Sequence, residues 1–209
     1  MQLNTLQELE RPPMTKNRQR LMLITTLGLM MAMIIIMTYI PNLGYITTGF
    51  FSITIVHIPV IIGAILTGPL GGLVLGTTWG VTSWHYATTL GTPEAAIFVN
   101  PLVSILPRIM VGLIISYSAL GLRKLIKPDF IRYLIVSIIG ALSNTVLVLS
   151  AIFLFASSGL VTFNQGLGYI FTFVISLNGS LEILSAGILV PIVLKAVSKV
   201  TETRNKQNS

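Results

Sequence analysis

Residues 54–86, TIVHIPVIIGAILTGPLGGLVLGTTWGVTSWHY, contain two apolar stretches separated by Gly68-Pro69. Proline lacks a backbone N–H and ends or kinks a helix. The sequence therefore predicts two helices, at about 54–67 and 70–86, joined as a hairpin. The first is short for a bilayer whose hydrocarbon core is roughly 30 Å thick. We expect it to be tilted or to be completed by residues of the preceding loop.

The composition of the whole chain is that of an integral membrane protein. Of its 209 residues 53% are hydrophobic and 9% are charged, whereas soluble domains average about a quarter charged. The charges are concentrated in 1–20, 123–132 and 195–209, which leaves only Glu94, Arg108 and Glu182 elsewhere. The net charge of +7 therefore lies beside apolar runs, where it indicates topology and not a nucleic-acid surface.

Six membrane-spanning helices are predicted, which gives an all-α integral membrane bundle. Besides the hairpin, they are at about 21–40, 100–122, 133–157 and 168–195. Lys and Arg favour the cytoplasmic side, so we expect both termini and the 123–132 loop there. The expected division is a cytoplasmic segment (1–20), the membrane domain (21–197) and a cytoplasmic tail (198–209).

Small residues recur at helical spacing in two places. Gly68, Gly72, Gly76 and Gly80 lie four residues apart, so they share one face and allow another backbone to approach closely. Packing inside the bundle and docking to another subunit both fit this stripe. Gly28 and Ala32 form a second pair of this kind in the first helix, with the same two interpretations.

Arg108 is the most informative single residue. It lies about eight residues into its predicted helix, roughly 12 Å deep by helical rise, where an uncompensated Arg costs about 2.5–3.5 kcal/mol. Compensation can come from Glu182, the only acid inside a predicted span, or from an anionic ligand bound by the guanidinium. Both alternatives remain open on the sequence alone.

Further polar residues occur on several of the predicted helices. Unsatisfied polar groups are costly in hydrocarbon, so we expect them to line a wet pocket that opens to the outside. Each also has a structural alternative, as an interfacial Trp or an interhelical hydrogen-bond partner. With Arg108, the candidate substrate-binding residues are His57, Trp84, His85, Asn100, Asn144 and Asn178.

The sequence offers little for catalysis. It contains no cysteine and one aspartate, Asp129, and it lacks a zinc motif, a nucleophile elbow and a Walker A sequence. We predict a chain that is not an enzyme by itself and needs neither a metal nor a cofactor. Any ATP-driven work would be done by another polypeptide.

Several stretches together resemble a known family. They are 54–69, the glycine-striped helix after it, Asn100-Pro101 with the run 107–112 (PRIMVG), Asn144-Thr145 and Asn178-Gly179. The chain is similar over about 18–198 to the substrate-binding S components of energy-coupling factor (ECF) vitamin transporters, and most similar to the pantothenate type.

The resemblance implies a plasma-membrane subunit that binds a vitamin on its outer face. It also implies docking on a transmembrane coupling protein that carries two ATPases, with no nucleic-acid partner. Gly28 and Ala32 match the family's Ala-x-x-x-Ala docking positions, with Gly replacing the first Ala. Arg108 would pair with the pantothenate carboxylate, the His and Asn residues would donate or accept hydrogen bonds, and Trp84 would form an apolar wall. Residues 41–53 are the candidate lid.

Other functions also fit the residues. The substrate of an S component could instead be folate, riboflavin or a pyrimidine precursor. A stand-alone secondary transporter could use Glu182 as a proton site, and a structural membrane scaffold would bind no small molecule.

Overall fold

The computed structural model describes residues 16–47, 52–91, 93–157 and 179–207. Within these ranges there are six helices and one antiparallel β-hairpin. In chain order they are α1 (Lys16–Tyr39), β1 (Tyr45–Thr47), β2 (Ser52–Thr54), α2 (His57–Leu90), α3 (Pro93–Phe98), α4 (Pro101–Leu125), α5 (Asp129–Ser157) and α6 (Ser180–Gln207). Five of them, α1, α2, α4, α5 and α6, are long and apolar enough to cross a membrane. The predicted all-α membrane bundle is confirmed.

Helix α2 is interrupted where the sequence predicted a break. Gly68 has φ 73° and ψ −160°, and Pro69 follows it. Positive φ is a conformation that glycine adopts without steric cost. We call the helical segments before and after Gly68 the first and second arms of α2. The chain folds back between them, as shown by the contact of the Gly63 backbone in the first arm with the Leu75 side chain in the second. The five long helices therefore provide six apolar arms.

The connection between α1 and α2 contains the hairpin. Strands β1 and β2 pair in the register Tyr45↔Thr54 and Thr47↔Ser52. The first arm of α2 therefore begins at His57 and not at residue 54, since 52–54 are in a strand. Only Ile55 and Val56 separate the hairpin from the helix.

Residues 87–99 lie between two of the predicted spans, and their polar composition suggests a loop, but most of them are helical. Helix α2 continues to Leu90 and ends at Gly91, which is left-handed with φ 61°, and α3 follows. The hydroxyls of Thr88 and Thr89 bond the carbonyl oxygens of the preceding turn. These hydroxyls thus find hydrogen-bond partners within the helix, so the polarity of the segment does not require a loop.

The last helix also differs from its predicted limits. Residues 168–178 of the predicted helix lie outside the described ranges, and α6 runs from Ser180 to Gln207. Residues 198–207, predicted as part of a tail, continue this helix.

The second arm of α2 packs closely on α4. A Cβ added at Gly76 would lie 2.5 Å from the carbonyl oxygen of Arg108, and one at Gly80 would lie 2.8 Å from the Cα of Ile105. Gly72 similarly contacts Gly112, with no room for a side chain. The prediction that this stripe permits close packing is confirmed for Gly72, Gly76 and Gly80, and the partner is a helix of the same chain. It is wrong for Gly68, which lies at the break and has no atom within 4 Å of an added Cβ among the described residues.

Candidate functional site

Arg108 lies in α4 and is only 7% exposed. Its Nη1 donates to the carbonyl oxygen of Val103 at 2.9 Å. The guanidinium lies between two rings, 5.5 Å from the centroid of Trp79 and 5.1 Å from that of Phe98, which stabilises a cation through the ring quadrupoles. Among the residues that the structure describes, no acid forms a salt bridge with it. Its charge is thus held by aromatic faces and a carbonyl.

Glu182 lies in the first turn of α6 and is 5% exposed. Its Oε1 accepts from the backbone N–H of Thr54, and its Oε2 accepts from Nδ2 of Asn144, both at 3.3 Å. Arg108 is near enough to interact electrostatically with this carboxylate, but the two do not pair directly. Glu182 therefore connects the end of β2 to α5.

Six buried side-chain atoms in the described part of the chain have no hydrogen bond of good geometry. They are Nδ1 and Nε2 of His57, Nε1 of Trp79, Oγ of Ser104, Nε of Arg108 and Oδ1 of Asn144. Leaving such a group unsatisfied costs about 1–3 kcal/mol, and few occur in native structures. We call these five residues the polar cluster. A polar ligand that reached them would supply the missing bonds.

The members of the polar cluster lie on three helices, α2, α4 and α5. Ser104 and Arg108 are one turn apart on α4, and Trp79 of α2 contacts the Arg108 guanidinium. Val148 lies one helical turn from Asn144 on α5, and it packs with Val103 of α4 in one apolar cluster. His57, the first residue of α2, lies near the main chain of Thr54 and Glu182.

The β-hairpin lies against the same end of the bundle. The Tyr45 hydroxyl bonds Oγ of Ser83 at 2.6 Å, and its ring stacks on Tyr86 with centroids 5.5 Å apart. Burial raises the pKa of Tyr45 above its usual 10.0, which keeps the hydroxyl neutral. Tyr45 is also an electrostatic neighbour of Arg108. The hairpin therefore contacts α2 close to the polar cluster.

Three of the predicted site residues, His57, Arg108 and Asn144, are buried and carry side-chain atoms without a hydrogen-bond partner. Three others have partners within the protein. Trp84 donates to the carbonyl of Val99 at 2.8 Å, the exposed His85 bonds the Tyr39 hydroxyl at 2.8 Å, and Asn100 caps α4 by accepting from Leu102 N at 3.0 Å. Asn178 lies outside the described residues.

Two members of the polar cluster, Trp79 and Ser104, were not predicted. Trp79 is fully buried in the second arm of α2, and a Trp within an apolar helix resembles an ordinary core residue. Ser104 is also fully buried. Its only sequence signal was the four-residue spacing from Arg108, which places both on one helix face.

Comparison with known proteins identifies the family. The family described as "ECF transporter, substrate-specific component" matches residues 22–194 of this chain. The match covers most of the chain and includes all five long helices in whole or in part. This chain belongs to that family. It is therefore a substrate-binding subunit of a transporter and a multi-pass membrane protein.

Two relatives of this ECF component carry names that specify a substrate. The pantothenic acid transporter PanT of Lactococcus lactis subsp. cremoris is 31% identical over 166 residues, covering 70% of this chain and 78% of the relative. The pantothenate transporter PanT of Leuconostoc mesenteroides is 38% identical over 110 residues, covering 50% of this chain and 53% of the relative. The chain thus spans about half the length of the second relative.

Helix α1 of this ECF component presents an open strip of small residues. Gly28 and Ala32 are both exposed, and a Cβ added at Gly28 would meet no atom within 4 Å. Large apolar side chains flank the pair, including Leu29 at 58% exposure and Ile36 at 50%. Packing inside the bundle, one interpretation of this pair, is therefore wrong, and the strip faces outward.

Proposed function

We propose that this protein is the pantothenate-binding component of an ECF importer in the plasma membrane. The observation that carries the proposal is the buried Arg108 guanidinium, which has no acidic partner among the described residues and lies among unsatisfied neutral polar groups. Pantothenate has one carboxylate, two hydroxyls and an amide, which match a single cation surrounded by hydrogen-bonding groups. The names of the two relatives support this choice of vitamin.

In the proposed complex the ligand carboxylate bonds the Arg108 guanidinium, including the unpartnered Nε. Ser104, Asn144 and His57 bond the hydroxyls and the amide. Trp79 supplies both an apolar wall and an N–H donor, a role that the sequence assigned to Trp84. The ligand is held at the end of the bundle covered by the β-hairpin, which we place outside the cell with both termini in the cytoplasm.

Import requires partners in this proposal. The chain docks through the open strip of Gly28 and Ala32 on a transmembrane coupling protein, because small residues allow two helices to approach closely. Two ATPase subunits on that coupling protein hydrolyse ATP. The chain itself contributes recognition of the vitamin.

The direct test is the affinity of the purified protein for pantothenate by calorimetry. We expect Arg108→Ala to weaken binding at least about 100-fold, or about 2.7 kcal/mol, since a charge-assisted contact is lost. Arg108→Lys should give an intermediate affinity, because it keeps the charge but loses the planar fork. Arg123→Ala, an exposed arginine in the last turn of α4, is the matched control.

Size-exclusion profiles and thermal stability should show that each variant is folded. Folate, riboflavin and a pyrimidine vitamin precursor serve as competing ligands. The proposal is wrong if Arg108→Ala binds pantothenate as the unaltered protein does, or if one of the competing vitamins binds more tightly.

A further inference from the structure

The contact between Glu182 and Asn144 determines which atom Asn144 presents to the site. Glu182 is almost fully buried and bonds Asn144 Nδ2 at 3.3 Å. An ionised carboxylate only accepts hydrogen bonds, whereas an amide has a donor end and an acceptor end. With Glu182 ionised, Asn144 turns its NH₂ group toward the carboxylate, as the contact between Nδ2 and Oε2 shows.

The opposite end of the Asn144 amide has no partner. Its Oδ1 is buried without a hydrogen bond, in a side chain that is only 6% exposed. Asn144 also lies on the face of α5 that packs toward α4, as its neighbour Val148 does. Asn144 therefore presents a carbonyl oxygen to the polar cluster, and a carbonyl oxygen can only accept hydrogen bonds.

We propose that Glu182 is a specificity-determining, positioning residue: by fixing the Asn144 amide, it makes the site select a ligand that places an O–H or N–H donor there. The inference rests on the proposed function and adds to it the chemical class of the group recognised. A ligand that has only a hydrogen-bond acceptor at that position would leave two acceptor oxygens facing each other with no hydrogen between them. Sites with buried, unpaired polar groups reject such analogues strongly.

A merely structural role for Glu182 is the alternative, because it also accepts from the N–H of Thr54 at the end of the hairpin. Glu182→Gln separates the two roles. Its amide oxygen can still accept from Thr54, but its NH₂ group then faces Asn144. Asn144 must turn over to accept through Oδ1, and it then presents its NH₂ group to the site.

The polarity can be restored by exchanging the two side chains. In Glu182→Gln with Asn144→Asp, one Asp oxygen accepts from the Gln NH₂ group, and the other again offers an acceptor to the site. The net charge of the pair equals that of the unaltered protein. Asn144→Asp alone places two carboxylates together and serves as the unfavourable counterpart.

The experiment measures the affinity of each variant for pantothenate, for its O-methyl ethers and for an ester analogue in which oxygen replaces the amide N–H. In the unaltered protein, we expect at least one analogue to bind 10-fold or more weakly than pantothenate. In Glu182→Gln that difference should fall below 3-fold, and in the double variant it should return to at least 10-fold. Asp129→Asn, the same acid-to-amide change at an exposed position outside the site, should keep the original preference.

The proposal is overturned if Glu182→Gln keeps the original preference, or if the double variant behaves like the single one. If Glu182→Gln does not fold, the affinities of the unaltered protein still test the proposal. Equal affinity for pantothenate and for all the analogues would show that the site does not require a donor, and would overturn it. Absence of pantothenate binding to the unaltered protein would instead overturn the proposed function, and this inference with it.

Discussion

Two stripes of small residues in this protein have opposite surroundings. On the second arm of α2, Gly72, Gly76 and Gly80 lie against the backbone of α4, where an added Cβ would collide. On α1, Gly28 and Ala32 are exposed, and no atom lies within 4 Å of a Cβ built at Gly28. The four-residue spacing is the same in both. The spacing therefore predicts that a helix can be approached closely, but not by which chain.

The physical reason for the difference is what lies next to each stripe. The α2 stripe lies next to Arg108, so close packing there keeps the polar cluster of the site away from lipid. The α1 stripe is flanked by exposed apolar side chains such as Leu29 and Ile36, which lipid solvates as well as a protein partner does. Association of helices in lipid depends on van der Waals packing, and small residues allow two helices to approach closely.

The most severe test of the comparison is Gly72→Leu. The new side chain would overlap the carbonyl of Gly112 and Oγ of Ser116, and the α4 backbone cannot move without displacing Arg108. We expect little or no monodisperse protein by fluorescence-detected size-exclusion chromatography. A well-folded Gly72→Leu protein would show that the contact between α2 and α4 is not essential.

Gly28→Leu should leave the isolated protein intact, because the site is open. We expect its affinity for pantothenate to remain within about 3-fold, but uptake by the assembled transporter, and co-purification with its partner subunits, to fall at least about 10-fold. Leu29→Ala, on the same helix but outside the small-residue pair, is the control. Normal uptake by Gly28→Leu would remove α1 from the docking surface.

The smallest expected effects come from alanine at the same two positions. Gly72→Ala should destabilise the fold by about 1–3 kcal/mol through overpacking. Gly28→Ala should be neutral or stabilise it by about 0.5–1 kcal/mol, because alanine has the higher helix propensity. Denaturant titration of the two variants side by side measures both. The same sign of effect at both positions would contradict the comparison.

The sequence was sufficient to predict the bundle, the break at Gly68-Pro69 and the position of Arg108 inside an apolar helix. Each of these depends on a local property: continuous apolar length, a missing N–H, or a charge in an apolar segment. The β-hairpin was not predicted, since it needs pairing between residues 45–47 and 52–54 that no short-range pattern reports.

The rest of the candidate site depends on side-chain direction. Trp84, His85 and Asn100 have the residue types of a binding site, but their polar atoms bond to Val99, Tyr39 and Leu102. Trp79 and Ser104 have the appearance of core residues, yet their polar atoms are unpartnered. Hydrogen-bond satisfaction separates these two groups, and it is a property of three-dimensional contacts.

The short connection between β2 and α2 has a kinetic consequence. Thr54 bonds Glu182, and three residues later His57 belongs to the polar cluster. Any displacement of β2 from the bundle would break the bond to Glu182 and pull on His57 at the same time. We therefore expect substitutions at Thr54, His57 or Glu182 to change the rate and the affinity of ligand binding together.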